Sequence, residues 1–108
     1  MKLIYVASPM RGDVEGNIKR AAKYCEHVMN CGHIPIAPHL AWRDFLDDET
    51  AGHRENALKM ALSLIERVDE VWVFGDVISD GMRREIEVSE KLGKTILFKQ
   101  DFKKEVMS

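Results

Sequence analysis

The chain has 108 residues, the size of one domain. Its 16 Lys and Arg against 18 Asp and Glu leave a net charge of −2, which excludes the broad positive field that a nucleic-acid backbone requires. An apolar share of 45% beside 31% charged residues excludes a disordered tail and suits a soluble globular domain.

Taken in chain order, hydrophobic periods of strand and helix type alternate. Leu3 to Ala7 is a short apolar run that reads as a buried strand, closed by Ser8-Pro9. Asp13 can cap a helix on which Val14, Ile18, Ala21, Cys25 and Val28 recur at helical spacing, and Gly32 stops it. His33 to Ala37 reads as a second strand. Pro35 donates no ladder hydrogen bond, so this strand belongs at a sheet edge. Pro38 to Asp48 reads as a loop with two aromatics, Trp42 and Phe45. From Thr50 to Arg67 the residues Ala57, Met60, Ala61, Leu64 and Ile65, continued by Val68, predict a helix with one apolar stripe. Glu70 to Phe74 is apolar on both faces, as strands inside parallel sheets are. Asp80 can cap a helix through Met82, Ile86 and Val88 to Leu92, ended by Gly93. Thr95 to Phe98 is the last strand, and the tail from Gln100 reads as a surface helical turn.

This βαβαβαβ order predicts one domain over residues 1–108, an open parallel sheet with helices on both faces. Four strands fit a flavodoxin-like (Rossmann-like) order 2-1-3-4, with the proline-bearing strand at the edge. Ligands of such sheets bind beyond the carboxyl ends of the strands, where the winding reverses. Here that point falls between the first and third strands. The loops that meet there are Ser8-Pro9-Met10-Arg11-Gly12 and Gly75-Asp76-Val77-Ile78-Ser79-Asp80-Gly81, the two most polar and glycine-rich of the chain.

Several residue types around that crevice suit anion and sugar chemistry. Ser79, Asp80, Gly81 and Met82 open a helix whose first amides face the crevice, a ready anion site, while Ser79 or Asp80 also reads as a plain cap. Arg11 can fork onto a phosphate with Ser8, Gly12 and Ser79, or pair on the surface with Asp13 or Glu15. Glu85 lies one turn into the helix beside Ile86. Burial there raises a carboxyl pKa and the helix start lowers it, so the net direction stays open. His39 follows the second strand and reads either as a ligand contact or as a structural histidine. The acidic run Asp44, Asp47, Asp48, Glu49 reads as a solvated loop, or as one aspartate reaching a base or sugar.

Other classes find little support. The four histidines and the thiols of Cys25 and Cys31 show no metal-ligand spacing, so no metal is expected and the cysteines are expected to stay reduced. Neither GxxxxGK[ST] nor GxGxxG occurs, and no organic cofactor is implied. There is no run of about 18 apolar residues, and the short apolar start is unlike a signal peptide, so a cytoplasmic protein is expected.

Four segments resemble one family. They are Tyr5-Val-Ala-Ser-Pro-Met-Arg-Gly-Asp13, Ile34-Pro-Ile-Ala-Pro-His-Leu40, Phe45-Leu-Asp-Asp48 and Val71-Trp-Val-Phe-Gly-Asp-Val-Ile-Ser-Asp-Gly-Met82. In this order they are similar to the nucleoside 2-deoxyribosyltransferase superfamily, and within it to the small bacterial and phage branch known as DUF4406. The resemblance implies that Glu85, four positions after Gly81, is a nucleophile attacking the anomeric carbon of a 2-deoxyribonucleoside. It implies that Ser8, Arg11, Gly12, Ser79 and Gly81 hold a 5′-phosphate, which favours a nucleoside 5′-monophosphate over a free nucleoside. Pro9, Met10, His39, Phe45, Asp47 and Met82 would border the substrate, and Asp76 would position the sugar or share acid duty. It further implies a homodimer or larger homo-oligomer, with a neighbouring chain completing the pocket. One departure stands out. The acid that relatives place on the helix before the third strand falls here near Ala61, so Asp44, Asp47, Asp76 or His39 would have to serve. That gap supports a rival reading, a module that binds or senses a nucleotide without cutting it.

Overall fold

The computed structural model describes residues 1–47 and 49–99. Strands β1 (Leu3–Ala7), β2 (Ile34–Ile36), β3 (Glu70–Val73) and β4 (Thr95–Phe98) run parallel in the order β2-β1-β3-β4. Helices α1 (Val14–Asn30), α2 (Pro38–Ala41), α3 (His53–Arg67) and α4 (Asp80–Lys91) connect them. The fold is therefore the flavodoxin-like α/β sheet read from the sequence, and Pro35 lies on the edge strand β2, opposite Ile4. Asp48 and the tail from Gln100, where a helical turn is expected, lie outside the described residues.

The strand pleat sorts the apolar residues into two cores. Ile4 and Val6 of β1 join Trp72 and Phe74 on one face, covered by Tyr24 and Val28 of α1. Tyr5 and Ala7 join Val71 and Val73 on the other, covered by Ala61 and Ile65 of α3 and Met82 and Ile86 of α4. Ile4 and Ile65 are completely buried, and each such side chain stabilises the fold by about 1.5–3 kcal/mol. Helices on both faces follow from strands that are apolar on both sides.

Local chemistry explains where the elements begin. Asp13 caps α1 as expected, its carboxylate accepting from the Gly16 amide. Four features differ from the sequence reading. Val14 is exposed, and Tyr24 and Asn17 take the inner face of α1 instead. The stretch after β2 contains the helical turn α2, with Pro38 at its first position, where a missing N–H costs nothing. Helix α3 starts at His53, after a left-handed Gly52, because Thr50 belongs to a turn closed on Asp47. Ser79, not Asp80, caps α4.

Candidate active site

The loops after β1 and β3 meet above the sheet. Gly75 has φ +96, and a Cβ there would stand 3.3 Å from Pro9 Cδ, so the turn and the close approach of the loops both call for glycine. Gly12, at φ +88, lets the first loop turn into α1. Ser79 Oγ accepts from the Met82 amide at 3.2 Å and fixes the start of α4 at the crevice. Gly81 differs from the other two glycines. A Cβ there would meet nothing nearer than Ser79 Oγ at 4.0 Å, so folding does not require glycine and the space over the helix start stays open.

Glu85 occupies the inner face of α4 with Met82, Ile86 and Ser89. Only 8% of it is exposed. Its carboxylate accepts a hydrogen bond from the hydroxyl of Tyr5, which is itself buried in β1. Burial pushes the Glu85 pKa up to about 7, with the Tyr5 hydrogen bond as the one opposing effect. The competition left open in the sequence is thus resolved by desolvation, and among the described residues no cation pairs with the group. The same pairing and burial hold the Tyr5 phenol well above its usual range, burial being the larger cause. The Ser89 hydroxyl donates to the Glu85 carbonyl at 2.6 Å, which satisfies the polar atom behind it.

On the other side of β1, Ser8 is buried and its Oγ lies 3.4 Å from His39 Nε2. Helix α2 presents that histidine. Burial lowers its pKa, so the resting imidazole is neutral at neutral pH. Arg11 projects its side chain at the surface. Its carbonyl accepts from Asn17 Nδ2 at 2.8 Å, and Asn17 in turn accepts from Arg20. Asp13 pairs with Arg20 at 3.6 Å, and among the described residues Arg11 has no ion pair.

The remaining predicted residues are dispersed. Asp76 is exposed, and its charge adds to the raised Tyr24 phenol of α1, where burial is the larger cause. Phe45 and Met10 are exposed. Asp47 is exposed, and its carboxylate accepts from the Glu49 amide and the Thr50 hydroxyl, which organises its own loop. Met82 packs its side chain in the core, behind the crevice. Tyr5, the partner of Glu85, is the candidate residue that the sequence pattern does not single out. Its signal is a phenol inside an otherwise aliphatic strand, since a buried hydroxyl needs a partner. An open groove of about 360 Å³ lies elsewhere, along α3, lined by Trp42, Lys59, Met60, Ser63, Leu64 and Arg67. Among the described residues no group of three or more His, Cys, Asp or Glu could hold a metal, and no helix is long and apolar enough to cross a membrane.

This architecture is shared with solved 2-deoxyribosyltransferases. The enzyme from the psychrotolerant bacterium Bacillus psychrosaccharolyticus superposes with a TM-score of 0.72 at 24% identity, over 89% of this chain and 70% of that one. The 2-deoxyribosyltransferase of Leishmania mexicana gives 0.63 at 17% identity, over 91% of this chain and 63% of its own length. At such identities the likeness defines the fold class. The chain itself belongs to DUF7768, a family described as a domain of unknown function, whose model matches residues 2–99. That family, not DUF4406, is the one matched. No curated protein matches the chain.

Proposed function

We propose that the protein breaks or exchanges the N-glycosidic bond of a nucleoside or nucleoside 5′-monophosphate, with Glu85 as nucleophile. The observation that carries this reading is a desolvated carboxylate held by Tyr5, without an ion pair among the described residues, on the helix that opens from the switch-point loop after β3. A structural carboxylate would be expected to have a charged partner. An unneutralised one, with a pKa of about 7, keeps its nucleophilic electron pair undamped while remaining ionised in a large share of molecules at neutral pH.

In the ionised state a Glu85 oxygen attacks the anomeric carbon. The bond to the base nitrogen breaks, the base leaves with the electron pair and takes a proton, and a glycosyl ester remains. Water or a second base then attacks the same carbon and frees Glu85. The amides at the start of α4, Arg11 and Gly12 would hold the 5′-phosphate. The open space above Gly81 allows that group to reach the backbone. Pro9, Met10, His39 and Phe45 would border the base.

The rival reading, binding without cleavage, is favoured by one observation. Ala61 is buried in the core on α3, so position 61 of the helix before β3 brings no acid to the leaving base. Incubation with 2′-deoxynucleosides and their monophosphates, followed by chromatography for free base, separates the two readings. Base release by the wild type and at least a 10³-fold loss in Glu85→Ala is the expected result. Unchanged release by Glu85→Ala overturns the nucleophile. A ligand-induced rise in melting temperature with the glycosidic bond intact supports the binding module.

A further inference from the structure

A departing base carries a full electron pair on nitrogen, and general acid help for such a step is worth about 10²–10⁴-fold. The structure narrows the source of that proton. Position 61 on α3 is a core alanine. The Asp44 side chain is 95% exposed. Asp47 is committed to its own turn, and Asp76 is exposed. His39 alone of these candidates is drawn in from bulk water and tethered to the crevice, through the buried Ser8 at the end of β1. The same strand carries Tyr5, the partner of Glu85. Ser8 directly follows Ala7, the last residue of β1, so the Ser8 and His39 pair stands at the carboxyl edge of the sheet where the loops meet.

We propose that His39, positioned by Ser8, is the catalytic acid that protonates the leaving base. This rests on the glycosidic reading of Glu85 and assigns the group on the opposite side of the scissile bond. As the bond from C1′ to nitrogen breaks, its electron pair passes to the base. The base takes a proton from Nδ1 of the His39 imidazolium, while Nε2–H donates to Ser8 Oγ. The imidazolium forms by uptake of a solvent proton. Burial makes it scarce at neutral pH but a correspondingly stronger acid. In the second half-reaction the imidazole takes a proton from the attacking water, and the cycle closes.

The test compares the natural 2′-deoxynucleoside that the wild type cleaves fastest with an analogue whose base leaves unaided. The analogue is the 7-methyl form of a purine or the 5-nitro form of a pyrimidine. His39→Gln is expected to lower kcat/KM on the natural substrate by at least 10²-fold. On the activated analogue it should change kcat/KM by less than threefold. Ser8→Ala, which keeps the imidazole and frees its orientation, should show the same selective loss to a smaller degree and serves if His39→Gln does not fold. An equal loss on both substrates, or no loss on either, overturns the assignment. A wild type inert toward both substrates, or a Glu85→Ala variant as active as the wild type, overturns the underlying reading instead.

Discussion

Glu70 and Glu85 are each 8% exposed, yet their chemistry is opposite. Glu70 lies at the amino-terminal edge of the sheet. Its carboxylate accepts from Lys2 Nζ at 2.6 Å and from Trp72 Nε1 at 2.9 Å, and these bonds, Lys2 first, hold its pKa below the usual carboxylate range. Glu85 lies toward the carboxyl-terminal edge with one neutral donor, and burial raises it to about 7. Equal exposure therefore does not set ionisation. Hydrogen bonds from Lys2 and Trp72 lower Glu70, whereas desolvation raises Glu85 against its single Tyr5 bond, so the same sheet keeps an anchored carboxylate at one end and a raised one at the other.

The widest gap between the two ends should open with pH. Glu85 has its folded pKa above its ordinary value, so between about 4.5 and 7 the folded state holds a proton that the unfolded chain has released. Its contribution to stability is lost as pH rises through that window, by on the order of 3 kcal/mol. Glu85→Gln should be more stable than the wild type by that order above pH 7 and nearly equal to it near pH 4. Urea titrations at both pH values measure this, and a variant less stable at pH 8 would show that Glu85 is anchored like Glu70.

A smaller effect belongs to Tyr5. Its hydrogen bond lowers the Glu85 pKa, so Tyr5→Phe should raise it and move the acid limb of the pH–rate profile upward from about 7. A hydrogen bond to a charged group is worth about 1.5–3 kcal/mol, which predicts a shift of about one pH unit or more. An unmoved limb would separate the catalytic ionisation from Glu85.

The smallest effect is expected at the anchored end. Glu70→Gln should cost on the order of 1 kcal/mol at pH 7, because Lys2 is largely exposed and solvent screens the pair. Glu70 has a lowered pKa, so its contribution is present above the ordinary carboxylate range and lost as pH falls through its folded value. The difference between variant and wild type should accordingly close in acid, while turnover per folded molecule stays unchanged. Loss of turnover would join the two ends functionally.

The sequence by itself determined the alternation of elements, the parallel sheet and its order, because strand and helix periods are local and Pro35 admits only an edge position. It also located the two loops and the Asp13 cap, which depend on neighbours within a few residues. Tertiary structure decided the rest. Whether Ser79 or Asp80 caps α4, and whether Arg11 pairs with Asp13, turned on small differences in direction at a helix start. The ionisation of Glu85 and of His39 turned on which distant side chains exclude water from them. Tyr5 and Ser8 belong to another strand of the sequence pattern altogether, and only packing brings them to those two groups. Periodicity encodes which face of an element is buried, but the free energy of a charge depends on everything around it in space.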